Sequence, residues 1–236
     1  MKLTQNLIPK DKWNLKCPYT MVAEFIVVHN TLNDAPAKNE VTYMMNNPER
    51  TGFHIAVDDK VAIQCIPFDR NAFHAGDGVK GKGNRKGIGI EICYSKSGGD
   101  KFSKAEDNAV LVIVDLLKKY NWDISHVKKH QDFSGKYCPH RTLDLGWQRF
   151  LDKIAKKLNE SEVVDMEELE KLRARVKELE DANKVYDRID ETMPKWIQQI
   201  AVWGLSNNII SGTGDGLGMT KAKAECLIMI KNALGK

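Results

Sequence analysis

The chain has 236 residues, which exceeds a minimal module and fits one domain of typical size followed by a smaller one. Its net charge of +4 divides unevenly, because residues 1–160 carry +6 and residues 161–236 carry −2. This mild basic bias is compatible with an anionic polymer as partner. The Lys and Arg residues are scattered among acidic ones rather than gathered in a stripe, so no nucleic-acid partner is expected.

Cysteine usage and hydropathy bear on the compartment. The five cysteines form an odd number without a disulfide-like spacing, and the N-terminus lacks the apolar region of a secretion signal. We therefore expect a protein that is made and kept reduced in a cytoplasm. No window approaches the roughly 18 apolar residues that span a bilayer, so membrane insertion is not expected. A target outside the membrane would require another component to release the protein.

The first part of the chain predicts strands around a short helix. Residues 24–29 form an apolar run that predicts a buried strand ending in His29, and residues 39–47 predict a helix. Residues 53–67 alternate around an Asp-Asp-Lys turn, which is the pattern of an antiparallel hairpin.

Residues 76–87 are rich in glycine and match two nucleotide-binding patterns in part. Gly76 to Gly81 fits the dinucleotide fingerprint, but that motif must open a helix, whereas a strand is predicted next. The phosphate-loop pattern fails because Gly83 stands where a Ser or Thr must bind magnesium. We interpret this stretch as a mobile loop at the rim of a groove.

The strand predicted at residues 88–94 contains a carboxylate in its middle. Alternation places Gly89, Glu91 and Cys93 on one face, where glycine leaves room for a ligand. An unpaired buried carboxylate is costly, so Glu91 should face a cation, a hydrogen-bond donor or a cavity. The alternative is a structural salt bridge to a Lys or Arg.

Helical patterns dominate the stretch that follows. Ser103-Lys-Ala-Glu106 has the form of a capping box and predicts a helix that extends to about Tyr120. A short strand is predicted at residues 126–130, and a further helix at about residues 143–158. Residues 1–158 therefore predict an α/β domain with a mixed central sheet flanked by helices.

A histidine and a cysteine eight positions apart on a turn-rich loop suggest a metal site. His130 and Cys138 are ligand types that suit zinc, and His29 at its strand end is the best candidate for a third ligand. Three protein ligands would leave one position open for water. Alternatively, His130 or Cys138 taken alone would more often be a packed or hydrogen-bonded residue without a metal. A structural zinc site is a further alternative, but the remaining cysteines form no Cys-x-x-Cys pair for it.

Beyond residue 158 the composition changes to dense charge with a regular apolar spacing. Leu169, Leu172, Val176 and Leu179 recur at three and four residues, which is typical of a coiled-coil seam. Residues 159–184 are therefore predicted to be a helical linker and a short coiled coil through which the chain forms a homodimer. The alternative is a single amphipathic linker helix folded onto a neighbour.

Several of these motifs together resemble the zinc N-acetylmuramoyl-L-alanine amidases of phage lysins and peptidoglycan recognition proteins. The motifs are Val28-His-Asn-Thr31, Phe53-His-Ile55, Gly87-Ile-Gly-Ile-Glu91 and Ser134-Gly-Lys-Tyr-Cys-Pro-His-Arg141. These motifs are similar to those of Bacillus phage and prophage endolysins in particular, and the resemblance covers residues 1 to about 157.

This resemblance implies roles for individual residues. It implies hydrolysis of the amide between N-acetylmuramic acid and L-alanine in bacterial peptidoglycan, with His29, His130 and Cys138 as ligands of Zn²⁺. Glu91 would be the general base and Lys136 a donor to the tetrahedral oxyanion.

One residue departs from the pattern of the family. Some phage members have a Tyr before the hairpin His where this chain has Phe53, which places more weight on Glu91. Alternatives are a noncatalytic peptidoglycan-binding recognition protein and a cytosolic amidase that recycles soluble muropeptides. The endolysin hypothesis places synthesis in the host bacterial cytoplasm and action on the cell wall after release.

Residues 185–236 resemble one S-layer homology repeat, a helical module that binds secondary cell-wall polymers. The resemblance rests on Trp196, the Gly-Leu and Gly-Asp-Gly turns, and the helix start at Thr220-Lys-Ala-Lys-Ala-Glu225. We therefore predict a small all-α cell-wall-binding domain after the linker.

Overall fold

The structure is a computed structural model that describes residues 1–211 and 216–235, except for the side chains of residues 162–165. It divides into two compact units, Met1–Glu162 and Val163–Lys236. Within the described residues, no helix has the length and apolar character that a membrane crossing requires.

A single mixed sheet organises the first unit. Among the described residues it has six strands in the order β1-β4-β3-β5-β2-β6. The strands are β1 (Leu3–Gln5), β2 (Phe25–Asn30), β3 (Ile55–Val57), β4 (Ala62–Gln64), β5 (Gly87–Ile92) and β6 (Val127–Lys129). The hairpin β3–β4 is antiparallel, as its alternation predicted, and all other neighbours are parallel. The predicted mixed sheet is confirmed.

Helices cover this sheet and continue into the second unit. Their bounds are α1 (Trp13–Lys16), α2 (Ala37–Asn46), α3 (Lys82–Lys86), α4 (Gly99–Tyr120), α5 (Gln131–Ser134), α6 (His140–Asp144), α7 (Trp147–Asn183), α8 (Lys195–Ser206) and α9 (Lys221–Ala233). Helix α4 contacts β3, β4 and β5, and α2 contacts β3 and β4. The core between them includes Ile88, Ile90 and Ile92 of β5, all fully buried.

Two predicted helix starts are wrong. Helix α4 begins at Gly99, so Ser103 and Glu106 lie inside it and form no capping box. Glu106 instead is buried and accepts two hydrogen bonds from Arg149 at 2.8 and 2.7 Å. The helix predicted from residue 143 begins at Trp147, because Gly146 adopts a φ of +103° between α6 and α7.

The glycine-rich stretch also differs from its prediction, because its residues 82–86 form α3, so that a helix and not a strand follows Gly76 to Gly81. Asp77 explains where α3 starts. Its carboxylate accepts hydrogen bonds from the backbone N–H groups of Gly83 and Asn84 at 2.6 and 3.2 Å. This carboxylate satisfies helix N-terminal donors that would otherwise lack partners.

The second unit contains a helix-loop-helix with its own small core. The buried residues are Tyr186, Met193, Ile197, Ile200, Ala201, Met219, Ala224 and Leu227. Thr220 caps α9 by accepting a hydrogen bond from the N–H of Lys223 at 3.2 Å, at the predicted helix start. Gly214 and Asp215 of the predicted Gly-Asp-Gly turn lie outside the described residues.

Candidate metal centre and active site

Three adjacent parallel strands carry the central site residues to one edge of the sheet. His29 is the penultimate residue of β2 and pairs in register with Glu91 of β5. His130 directly follows β6, which pairs with the other side of β2. Because β2 lies between β5 and β6, residues separated by more than a hundred positions meet at the carboxyl ends of these strands.

Backbone contacts hold Cys138 near these strand ends. The carbonyl of Cys138 accepts a hydrogen bond from the N–H of Gln131 at 3.0 Å. The residues after it are anchored by the Asn30 side chain, whose Oδ1 accepts from the N–H groups of Arg141 and Thr142 at 2.9 and 3.2 Å. The residue next to His29 therefore fixes the segment that delivers the thiol.

His29, His130 and Cys138 come together as predicted. Nδ1 of His29 lies 2.9 Å from Nδ1 of His130 and 3.9 Å from Sγ of Cys138. One ligand atom from each residue lies within 4.8 Å of the others, and all three side chains are buried. Two imidazoles and one thiol at this spacing form a donor set that suits zinc.

The electrostatics of the three groups agree with metal binding. Burial lowers the pKa of His29 well below its ordinary value, and burial followed by the charge of Lys136 lowers the pKa of His130 to about 4. Both imidazoles are therefore neutral at pH 7 and can offer lone pairs. Burial raises the pKa of the Cys138 thiol to about 11, so a bound cation is needed to stabilise its thiolate.

Glu91 lies beside this group with an unusual environment. Burial, followed by the like charge of Glu40, raises the pKa of Glu91 to about 8, while the positive charge of Lys136 opposes this rise. Within the described residues, Oε2 of Glu91 is buried and has no hydrogen-bond partner. Among the described residues, Glu91 forms no salt bridge with a Lys or Arg, so the structural alternative is not supported there. Glu91 is thus a mostly protonated carboxyl group at pH 7, with one oxygen that an external ligand or cation can contact.

Lys136 and Phe53 differ in their exposure. Lys136 is exposed on the loop before Cys138, yet its charge lowers the pKa values of His29, His130, Glu91 and Cys138. The ammonium of Lys136 therefore places a positive potential on all four groups. Phe53 is 7% exposed and packs in the core of the first unit, so it offers no substitute for a tyrosine hydroxyl.

Two further histidines belong to this region and were not predicted to have a role. Nδ1 of His74 lies 3.0 Å from Nε2 of His29, and Nε2 of His74 lies 3.1 Å from the carbonyl oxygen of Gly87. His54 accepts a hydrogen bond from the N–H of Gly89 at 2.9 Å and lies 3.0 Å from the carbonyl of Arg70. His54 belongs to the Phe53-His-Ile55 motif of the resemblance, whereas the only sequence signal of His74 was a histidine in an apolar context.

Gly89 explains how His74 fits against the sheet. A Cβ atom at position 89 would lie 2.8 Å from Cγ and Cδ2 of the His74 ring. The space that the sequence predicted for a ligand at Gly89, beside Glu91, is therefore filled by the imidazole of His74.

Comparison with known proteins agrees with this geometry. The family described as N-acetylmuramoyl-L-alanine amidase matches residues 19–141, which include His29, Glu91, His130, Lys136 and Cys138. The N-acetylmuramoyl-L-alanine amidase CwlA of Bacillus subtilis (strain 168) is 57% identical over 146 residues, 62% of this chain and 54% of the relative. XlyB of the same strain is 54% identical over 156 residues, 66% of this chain and 49% of the relative. The chain spans about half the length of these curated relatives.

Solved structures match a similar share of the chain. The structure of PlyL has a TM-score of 0.64 and 55% identity, covering 65% of this chain and 97% of that chain. The solution structure of the PlyG catalytic domain also has a TM-score of 0.64 and 55% identity, covering 67% and 96%. These two matches leave about a third of the chain uncovered.

Proposed function

Because this chain belongs to the N-acetylmuramoyl-L-alanine amidase family, we propose that it hydrolyses the amide bond between N-acetylmuramic acid and L-alanine in bacterial peptidoglycan. The observation that carries the proposal is the buried group of His29, His130 and Cys138 with Glu91 in register beside His29. A noncatalytic binding protein would have no need for a thiol at a three-ligand site, so the arrangement favours hydrolysis.

The three ligands fit Zn²⁺, because their imidazoles are neutral and their thiol requires a cation to ionise. Bound there, zinc would polarise the amide carbonyl and lower the pKa of a water molecule, so that hydroxide would be available at neutral pH. We assign the zinc-binding role to His29, His130 and Cys138.

Glu91 is proposed as the general base. Its buried oxygen without a partner would accept a proton from the attacking water as the new C–O bond forms. The same carboxyl group would pass that proton to the amide nitrogen as the C–N bond breaks, which releases the amine of L-alanine. Its high pKa in the absence of a cation suits a group that must both take and return a proton.

Lys136 is proposed to stabilise the oxyanion that develops on the former carbonyl oxygen. Its exposed position on the loop allows the ammonium to approach a bound substrate, and its charge already acts on Glu91 and Cys138. A donor aimed at this developing charge lowers the barrier more than it strengthens ground-state binding.

The second unit is proposed to attach the enzyme to the wall through a secondary cell-wall polymer. The support is its separate helix-loop-helix core, with the Thr220 cap at the helix start expected for an S-layer homology repeat. We also propose that chains pair as a homodimer through the apolar seam of α7. Residues 159–184 would form the linker, and residues 185–236 the binding domain.

An endolysin role follows as the biological proposal. The chain would be made in the host bacterial cytoplasm, act on the cell wall after release and cause lysis. A relative named Endolysin 2638A, of Staphylococcus phage 2638A, is 27% identical over 131 residues, 51% of this chain.

Mass spectrometry of digested peptidoglycan tests the reaction. Cleavage should create free amino termini of L-alanine without new reducing sugar ends, and chelated protein should create neither. Binding of intact walls without any new termini would identify a recognition protein instead. Cleavage confined to soluble muropeptides would favour the recycling role.

A further inference from the structure

Helix α7 carries an apolar stripe that nothing in the described chain covers. Leu169, Leu172, Val176 and Leu179 are 39%, 57%, 53% and 47% exposed. Neither of the two hydrophobic cores includes them. Their spacing of three and four residues places them along one helix face, whereas the flanking positions are mostly charged. A continuous apolar stripe rimmed by charge is typical of a helix that has a partner.

The residue types along the stripe favour a two-stranded pair. If Leu169 is placed at heptad position a, Leu172 and Leu179 fall at d, while Val176 and Asn183 fall at a. A β-branched residue at a with Leu at d favours dimers, and a single Asn at a selects one register at some cost in stability. The exposed Asn183 side chain donates to the Leu179 carbonyl at 3.0 Å and is available to exchange that partner.

We propose that residues 169–183 of α7 pair with the same segment of a second copy of this chain, as a parallel and in-register two-stranded coiled coil. The inference deepens the homodimer proposed above and rests on it, but it does not depend on the amidase reaction.

The charged residues that flank the apolar seam favour the parallel orientation. In a parallel pair, a residue at position g faces the position e that lies five residues further along the partner. Glu168 would face Arg173 of the partner subunit, and Arg175 would face Glu180 of the partner subunit. Both contacts join opposite charges, and the two-fold symmetry repeats each of them.

The antiparallel orientation would bring like charges together. To keep the same four apolar residues in contact, Leu172 would have to face the partner's Val176. Positions e would then meet each other, and so would positions g. Arg173 would lie near the partner's Arg173, and Arg175 near the partner's Arg175.

An existing contact within the helix does not prevent this pairing. Nη1 of Arg175 lies 2.5 Å from Oε2 of Glu178, but both side chains are more than 60% exposed. Exposed ion pairs of this kind contribute little to stability, so Arg175 can turn toward a partner. Because the seam has only about two heptads, the dimer should be weak and should dissociate on dilution.

The functional consequence is a bivalent enzyme. A parallel pair holds the C-terminal ends of both seams together, and each seam is followed in the chain by its own α8 and α9. If each unit binds the wall weakly, two linked units bind with a higher effective concentration.

Cysteine cross-linking of the full-length chain tests the orientation directly. In a Cys226→Ser background, which removes the exposed native thiol, Leu172→Cys and Val176→Cys should each form disulfide-linked homodimers in a glutathione redox buffer. Ala174→Cys, on the opposite helix face, is the matched control and should form no disulfide-linked dimer. Cross-linking that requires a mixture of the Leu172→Cys and Val176→Cys chains would overturn the parallel arrangement.

A charge exchange provides a second test that leaves the apolar seam intact. Arg173→Glu should weaken the dimer about tenfold in analytical ultracentrifugation, because it places two Glu residues in each contact. Adding Glu168→Arg should restore association, since opposite charges then meet again. Failure of the double variant to recover would overturn the parallel assignment.

The same experiments separate pairing from catalysis. Leu172→Glu should yield a monomer that cleaves soluble muropeptides at the wild-type rate but binds intact walls more weakly. A wild-type chain that remains monomeric at about 100 µM, well above the concentration at which a weak coiled coil forms, would overturn the inference. A dimer without amidase activity would overturn only the proposed reaction.

Discussion

Nε2 of His29 lies 3.0 Å from Nδ1 of His74, and this contact determines which nitrogen of His29 faces Cys138. The carbonyl of Gly87 can only accept, so the Nε2 of His74 beside it must carry a proton. Burial lowers the pKa of His74 to about 3, so its ring is neutral and its Nδ1 has a lone pair. That lone pair accepts the Nε2 proton of His29, which leaves Nδ1 of His29 free to bind a metal.

We expect His74→Ala to lower zinc affinity by about 10- to 100-fold, which is the effect of losing a partner that orients a ligand. Competition with a chromogenic chelator measures this affinity. His54→Ala is the matched control, because His54 is also buried but has no hydrogen bond to His29. Equal losses in both variants would show that the effect arises from cavity formation.

The thiol of Cys138 provides a test of the metal site. Chelation should abolish wall lysis and zinc should restore it, while Cys138→Ser should bind zinc weakly because the soft ligand is lost. Calorimetry should then show little difference in melting temperature with and without zinc. Cys226→Ser, which changes an exposed thiol, should behave as wild type. Full lysis by metal-free protein would contradict the assignment.

Replacement of Glu91 should separate catalysis from metal binding. Glu91→Gln keeps the shape of the side chain but cannot accept a proton, so turnover should fall by about 10² or more. Zinc stoichiometry and binding to peptidoglycan should be retained. Turnover is measured on soluble muropeptides, and zinc by elemental analysis. A nearly normal rate would assign Glu91 a structural role.

The pKa of Glu91 also predicts a pH dependence of stability in metal-free protein. Its folded-state pKa of about 8 exceeds the ordinary value of 4.5, so the folded state retains a proton that the unfolded chain releases. This stabilising contribution is present at low pH and is lost as the pH rises through about 8. The free energy of unfolding should therefore fall across this interval, by at most a few kcal/mol.

Urea denaturation between about pH 5 and pH 9 measures this effect. Glu91→Gln should remove that part of the pH dependence, and its unfolding free energy should exceed that of wild type at the alkaline end. Glu170→Gln makes the same chemical change at an exposed position and serves as control. Parallel curves for wild type and Glu91→Gln would show that the carboxyl does not hold this proton.

The two compact units predict a separation of cleavage from attachment. A chain that ends at Glu162 should remain folded and cleave soluble muropeptides, because every proposed site residue lies before that position. Its binding to intact walls, measured by sedimentation with the wall fraction, should fall. The isolated residues 163–236 should bind walls without cleaving them. Unchanged wall binding and lysis by the shortened chain would assign the second unit to stability or assembly.

The sequence by itself was sufficient for the elements and groups whose signals are local or chemically distinctive. Alternation predicted the β3–β4 hairpin, and the apolar run before His29 predicted β2. His29, His130 and Cys138 could be grouped because few combinations of side chains suit zinc. These predictions depended on residue type and spacing, which the sequence displays directly.

The tertiary structure decided the contacts between segments that are distant in sequence. Helix α4 starts at Gly99, directly after Gly98 with a φ of +72°, while Glu106 is paired with Arg149 on α7 instead of capping its own helix. His74 gained its role only because the sheet places β5 beside β2, which brings Gly87 and His29 to opposite sides of one imidazole. Local periodicity specifies which residues face a core, but strand order and register determine which buried polar groups meet, since each needs a partner that only the folded chain supplies.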